Sequence, residues 1–155
     1  MNKFSLLCLI INFWASISTA QFAFEKKVLS VDVFPSQDRI VAGEELKLAI
    51  KLTIEDGLHI NSDTPLEEFQ IATVLTFDAI ENVSFGKPFF PPAELKSFPF
   101  SEDKIPVYEG EVFIVTTVSS SPNLAPGVVK ISGKVSYQGC DDKVCFPPGE
   151  EAFAL

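Results

Sequence analysis

The sequence predicts an all-β domain, and three observations carry the prediction. Apolar residues recur with a period of two in several short runs, as half-buried strands require. No segment keeps a 3.6-residue period through three helical turns. The runs are separated by Pro, Gly, Asp and Ser in turn-forming clusters, not by linkers or repeats. With 155 residues, 46% of them apolar and 15 of them Phe, the chain has the length of one domain and the material for its core.

Residues 27–34 (KVLSVDVF) place Leu29, Val31 and Val33 on one face and Val28, Ser30 and Asp32 on the other. Pro35-Ser36-Gln37-Asp38 then breaks the run with turn chemistry. From Glu45 to Ile54 the alternation is sustained, with Leu46, Leu48, Ile50, Leu52 and Ile54 in phase. Asp56-Gly57 reads as a hairpin-type turn into a strand opening at Leu58-His59-Ile60. Further strands are expected at Ile71–Phe77, Val112–Val118 and Val128–Tyr137, with a short last one at Ala152–Leu155. About seven such strands in one domain of this length predict a β-sandwich of immunoglobulin-like form.

The first twenty residues stand apart. Lys3 supplies a basic start, Phe4 to Trp14 an apolar core, and Ser18-Thr19-Ala20 small residues where a signal peptidase cuts. Residues 1–20 therefore read as a signal peptide, with an uncleaved anchor helix as the alternative, and the domain as 21–155. An exported chain follows. Its cysteines are then Cys140 and Cys145, since Cys8 leaves with the leader.

Charge and inventory exclude several chemistries. Against 12 Lys and Arg the chain has 21 Asp and Glu, a net charge of −9, which repels a phosphate backbone, so no nucleic-acid partner is expected. A zinc site wants four Cys or His ligands and a blue-copper site two His; with one His and one mature cysteine pair, no metal and no cofactor is expected. His59 has no nucleophile elbow or partner constellation, so a hydrolase is disfavoured and His59 reads as a strand histidine with ordinary hydrogen bonds.

Gly86 to Pro106 holds five Pro and four Phe and no alternation. Proline cannot donate to a ladder, so the stretch is expected to be irregular throughout. Loops of this length inside a domain are uncommon, and four phenyl rings argue against a solvated one. Either the rings pack on the open end of the sandwich, or the loop is a lid over a reactive site.

Four residues separate Cys140 from Cys145 in the run Tyr137-Gln138-Gly139-Cys140-Asp141-Asp142-Lys143-Val144-Cys145-Phe146-Pro147-Pro148. If Asp141–Val144 form a four-residue hairpin loop, the cysteines oppose each other with Cα atoms ~4.5–5.5 Å apart, within disulfide reach. Spacing leaves two readings open, a structural staple and an exchanging pair. Lys143 favours a thiolate while Asp141 and Asp142 oppose it, so charge does not choose between them. Tyr137 and Phe146 flank the pair and are expected to pack beside it.

The flanking residues add a resemblance. The Tyr-Gln-Gly-Cys run followed by Cys-Phe-Pro-Pro resembles the N-terminal periplasmic domain of the DsbD family of thiol–disulfide interchange proteins. Asp56-Gly57-Leu58-His59-Ile60 is similar to that family's Gly-x-His segment, and the Phe/Pro-rich loop lies where the family keeps a cap. The resemblance implies an immunoglobulin-like sandwich and a protein-disulfide reductase module whose Cys140 and Cys145 form the redox pair. It implies electrons received from a thioredoxin-like domain and passed to periplasmic disulfide isomerases or cytochrome c maturation proteins. Cys145 is the expected site of the mixed disulfide, and Phe98 and Phe100 are the candidates to shield the pair. Some family members keep five residues between the cysteines where this chain has four. The family's membrane and thioredoxin-like domains lie outside the sequence. A truncated chain is the favoured expectation, a separately encoded membrane electron-transfer domain the alternative. The rival from another class is an exported immunoglobulin-like binding or scaffold domain with an inert disulfide.

Overall fold

The computed structural model describes residues 27–99 and 101–155; the leader 1–20 and Phe100 lie outside the described residues. The described residues form eleven strands and no helix: β1 Leu29–Pro35, β2 Glu45–Ile54, β3 His59–Asn61, β4 Val74–Phe77, β5 Val83–Phe85 and β6 Glu94–Lys96. After these come β7 Ile105–Tyr108, β8 Glu111–Ser120, β9 Ser132–Tyr137, β10 Gly139–Cys140 and β11 Gly149–Ala154. They pair antiparallel in three sheets, ordered β1-β2-β8-β5, β10-β3-β7-β6 and β11-β9-β4. The fold is the all-β, immunoglobulin-like class that the alternation predicts.

Where the sequence alternates longest, the structure follows it residue by residue. Along β2 the in-phase residues Leu46, Leu48, Ile50, Leu52 and Ile54 are all buried, and along β8 so are Val112, Ile114, Thr116 and Val118. These two strands pair along nearly their full length, Ile50 opposite Ile114 and Leu52 opposite Val112. Their inward faces meet Leu75, Val135, Tyr137 and Phe153 of the third sheet and Ile60 and Tyr108 of the second in one core. A second, small cluster joins Phe98, Ile105 and Val107.

Several expected boundaries are corrected. The 86–106 stretch is not irregular throughout: β6 lies inside it, pairing Leu95 with Pro106, and Phe89 bridges Val115. Pro106 is tolerated because pairing continues through its carbonyl, which accepts from the Ser62 N–H at 3.0 Å. The strand expected from Ile71 begins at Val74, and the one expected from Val128 begins at Ser132; Val128 itself is 99% exposed. β5 was not expected, and the last strand opens earlier, at Gly149.

Asp56-Gly57 does form a turn, with Gly57 at φ 74° and the Leu58 N–H on the Glu55 carbonyl at 3.0 Å. It is not a hairpin, because β2 and β3 belong to different sheets. The Glu109-Gly110 turn makes the same crossing from β7 to β8, with Gly110 at φ 60°. The two turns are tied together by the Ile54 N–H on the Gly110 carbonyl at 2.8 Å. That knot brings β3 alongside β10, which carries the first cysteine.

Candidate functional site

β9 ends at Tyr137, and Gln138 passes the chain from the third sheet to β10 in the second. Gln138 is held on both sides of its side chain. Its Oε1 lies 3.4 Å from Asn61 Nδ2, and its Nε2 donates to the Phe146 carbonyl at 3.2 Å. Asn61 Nδ2 also donates to the Ile71 carbonyl at 3.1 Å, and its own carbonyl accepts from Thr73 Oγ1 at 2.6 Å. The amide pair thus fixes the segments before and after the cysteines to β3. Gly139 follows, where no side chain fits: a Cβ would come within 2.7 Å of Val28 Cγ1.

The hairpin expected from the spacing is present. Cys140 and Cys145 form an antiparallel bridge and a disulfide, with Cα atoms 3.9 Å apart, closer than the expected separation. The Asp141 N–H donates to the Val144 carbonyl at 3.0 Å and the Phe146 N–H to the Gly139 carbonyl at 2.8 Å. Asp141 Oδ1 accepts from the backbone N–H groups of Lys143 and Val144 at 2.8 and 2.9 Å. This Asx-type turn gives Asp141 a structural role. The cysteines are unequal: Cys140 is 1% exposed, whereas Cys145 sits on the exposed arm of the hairpin. Phe146 is half-buried against the core, and Tyr137 is a core ring lying over Gly149, its partner in the β9–β11 ladder.

Directly opposite Cys140 in the β10–β3 ladder is His59. Opposed residues of an antiparallel pair share a face, so imidazole and sulfur project to the same side of the sheet. The ring of Phe98 stacks on His59 with centroids 4.3 Å apart and planes inclined by 21°. Of the two expected shielding rings, Phe98 is therefore placed one residue from the pair. His59 departs from the expected strand histidine: it is 1% exposed, and its Nε2 is the one buried side-chain nitrogen or oxygen among the described residues without a hydrogen-bond partner. An orphaned buried polar atom costs about 1–3 kcal/mol, so a fold retains one only against that penalty.

His59 lies against a polar cleft of about 500 Å³ between the two crossing turns, lined also by Glu55, Asp56, Lys96, Glu109 and Asp142. Lys96 forms an ion pair with Glu109 and has Glu94 at 3.9 Å. Burial holds the His59 pKa below its ordinary value, against Glu109, Asp142 and Asp141, which pull it up, and together with Lys96, which pushes it down. The imidazole is accordingly neutral at neutral pH. Across the same sheet, Tyr108 donates to Asp63 Oδ1 at 2.6 Å, and its hydroxyl is also 3.1 Å from the Pro91 carbonyl. Those bonds tie β7 to the β3–β4 connection and to the start of the Phe/Pro-rich stretch. The described residues contain no group of three or more Cys, His, Asp or Glu able to hold a metal ion.

A family model described as "Thiol:disulfide interchange protein DsbD, N-terminal" matches residues 26–155. Among solved structures, the chain is similar to the DsbD N-terminal domain of Neisseria meningitidis in its reduced form. The two share 20% identity over 83% of each chain, with a TM-score of 0.50. It is similar also to the N-terminal periplasmic domain of ScsB from Proteus mirabilis, at 13% identity and a TM-score of 0.55. That match covers 84% of this chain and 47% of the other. No curated protein matches the sequence. At these identities the two structures bear on the fold alone.

Proposed function

The chain belongs to the family of DsbD N-terminal domains, and on that premise we propose that it is a periplasmic thiol–disulfide exchange domain whose Cys140 and Cys145 cycle between dithiol and disulfide. The observation that carries this reading is the asymmetry of the disulfide, one cysteine buried in β10 and the other exposed beyond the hairpin loop. Exchange proceeds by attack of a thiolate on one sulfur, with the other leaving. An exposed Cys145 offers the sulfur that an incoming thiolate can reach, and a sheltered Cys140 is the leaving group and later the resolving thiol. Phe98, seated on His59, shields the pair from unselective reaction, and Phe100 belongs to the same segment.

Electrons enter from a thioredoxin-like donor and leave to periplasmic disulfide isomerases or to cytochrome c maturation proteins. That donor and any membrane electron-transfer domain act beyond the residues described, and export depends on the leader at 1–20. Among the described residues no helix is long and apolar enough to cross a membrane. The test is the reduction potential of the Cys140–Cys145 pair, by alkylation trapping across a dithiothreitol series. Inert staples lie below about −300 mV, so a higher potential with rapid reduction of the folded domain is expected. A potential below that value, with reduction only on denaturation, would leave a binding or scaffold domain with a structural disulfide.

A further inference from the structure

The exchange reading leaves one buried ionisable group unused. His59 opposes Cys140 in the ladder, is covered on one side by the Phe98 ring, and keeps Nε2 without a partner while the disulfide is formed. A disulfide sulfur carries no proton to give. A thiol does, and reduction creates one at Cys140, on the same face of the sheet. Resting on the exchange reading, we infer that His59 is the proton acceptor of the Cys140 thiol in the step that releases a reduced partner.

In that step a partner sulfur is bonded to Cys145. Cys140 Sγ attacks Cys145 Sγ, the intramolecular disulfide forms, and the bond to the partner breaks with its electron pair leaving on the partner sulfur. The Cys140 proton passes to His59 Nε2, and the partner thiolate takes its proton from water. In the reverse direction a donor thiolate attacks Cys145, and His59 returns a proton to Cys140 as it leaves. The surroundings suit both states of the imidazole. Burial under Phe98 keeps it neutral and able to accept. Glu109 from the β7–β8 turn and Asp141 and Asp142 from the hairpin loop favour the imidazolium once formed, and Lys96 of β6 opposes it from within its pairing to Glu109. Glu55 and Asp56 of the β2–β3 turn line the same cleft. Cys140, 1% exposed, has no direct access to water as a base.

The test uses the reduced domain and a symmetric aromatic disulfide that releases one coloured thiolate when Cys145 attacks and a second when Cys140 resolves the mixed disulfide. In the parent protein the second release is expected to be independent of pH between the lowered His59 pKa and the thiol pKa. In His59→Gln and His59→Phe it should instead rise about tenfold per pH unit up to the thiol pKa near ~8.5, because thiolate must then form through solvent. The Phe variant preserves a stacking ring, so loss of the pH-independent region in both variants separates proton transfer from packing. A variant slowed equally at every pH, or one that keeps the flat profile, overturns the inference. Should neither variant fold, the His59 C2–H titration in the parent protein decides: its midpoint is expected to differ between the reduced and oxidised forms, and an unchanged midpoint refutes the coupling. If the parent protein releases no first thiolate, the exchange reading itself falls and this inference falls with it.

Discussion

Val28 occupies the space that any side chain at position 139 would need: a Cβ on Gly139 would stand 2.7 Å from its Cγ1 and 2.8 Å from its Cγ2. Val28 is itself 4% exposed and stiff at χ1, so it cannot swing aside cheaply. Gly139→Ala is expected to destabilise the domain by roughly 1–3 kcal/mol, the usual cost of overpacking a filled core. Chemical denaturation checks it. The double variant with Val28→Ala should recover part of the loss, whereas strictly additive losses would show that Val28 is not the obstacle.

Asp141 closes the hairpin loop through two backbone N–H groups on a single oxygen. Asp141→Ala removes the single oxygen that accepts both bonds and is expected to cost about 1 kcal/mol, while Asp141→Asn keeps an oxygen in the same place and should cost little. The loss should be larger in the reduced domain, where no disulfide constrains the hairpin and hydrogen bonds alone hold it. Denaturant midpoints of both variants in both redox states check this. An Asn variant as damaged as the Ala variant would mean that charge, not hydrogen bonding, is what matters at Asp141.

Legibility in the sequence followed the length of the pattern. β2 shows five in-phase apolar residues, and the structure buries all five. β5 and β6 have three residues each, too few to display a period, and both pair at sheet edges chosen by the tertiary fold. The Asp56-Gly57 dipeptide correctly announced a turn, but whether a turn joins neighbours in one sheet or crosses between sheets depends on pairings made elsewhere in the chain. The cysteine hairpin was readable because its geometry is local. His59 was not, because its ladder partner Cys140 is far away in sequence, and an unmet hydrogen bond leaves no mark in the residues around it. The likeness of Gly57-Leu58-His59 to the family's Gly-x-His segment was the signal the sequence offered.

Tyr108 presents a buried hydroxyl to Asp63, and its pKa is pushed up, first by burial and then by that carboxylate. The folded state thus holds the phenol protonated at pH values where the unfolded chain, with a tyrosine pKa near ~10, has released its proton. The stabilisation is complete below pH ~10 and is lost as pH rises above it, since the unfolded state then binds fewer protons. Tyr108→Phe should lower stability at neutral pH by about 1.5 kcal/mol by removing the donor to Asp63. It should also flatten the alkaline part of the stability curve. Unfolding midpoints from pH 7 to 11 would show it; an equally steep alkaline decline in the variant would assign that decline to another group.

The unequal burial of the two cysteines sets their separate reactivities. Cys140→Ser leaves Cys145 on the exposed arm of the hairpin, and this variant should accumulate mixed disulfides with oxidised glutathione, because no resolving thiol remains. Cys145→Ser leaves a thiol 1% exposed in β10, opposite His59, on which the Phe98 ring stacks. A bulky maleimide can reach it only through local opening, so alkylation should be slower than at Cys145 by at least about tenfold, the factor that each ~1.4 kcal/mol of opening free energy supplies. Phe98→Ala removes the covering ring and should bring the Cys145→Ser variant closer to the rate of the Cys140→Ser variant, without altering the latter by a comparable factor. Equal alkylation rates in the two serine variants, or faster reaction at Cys140, would contradict the assignment of Cys145 as the sulfur that partners attack.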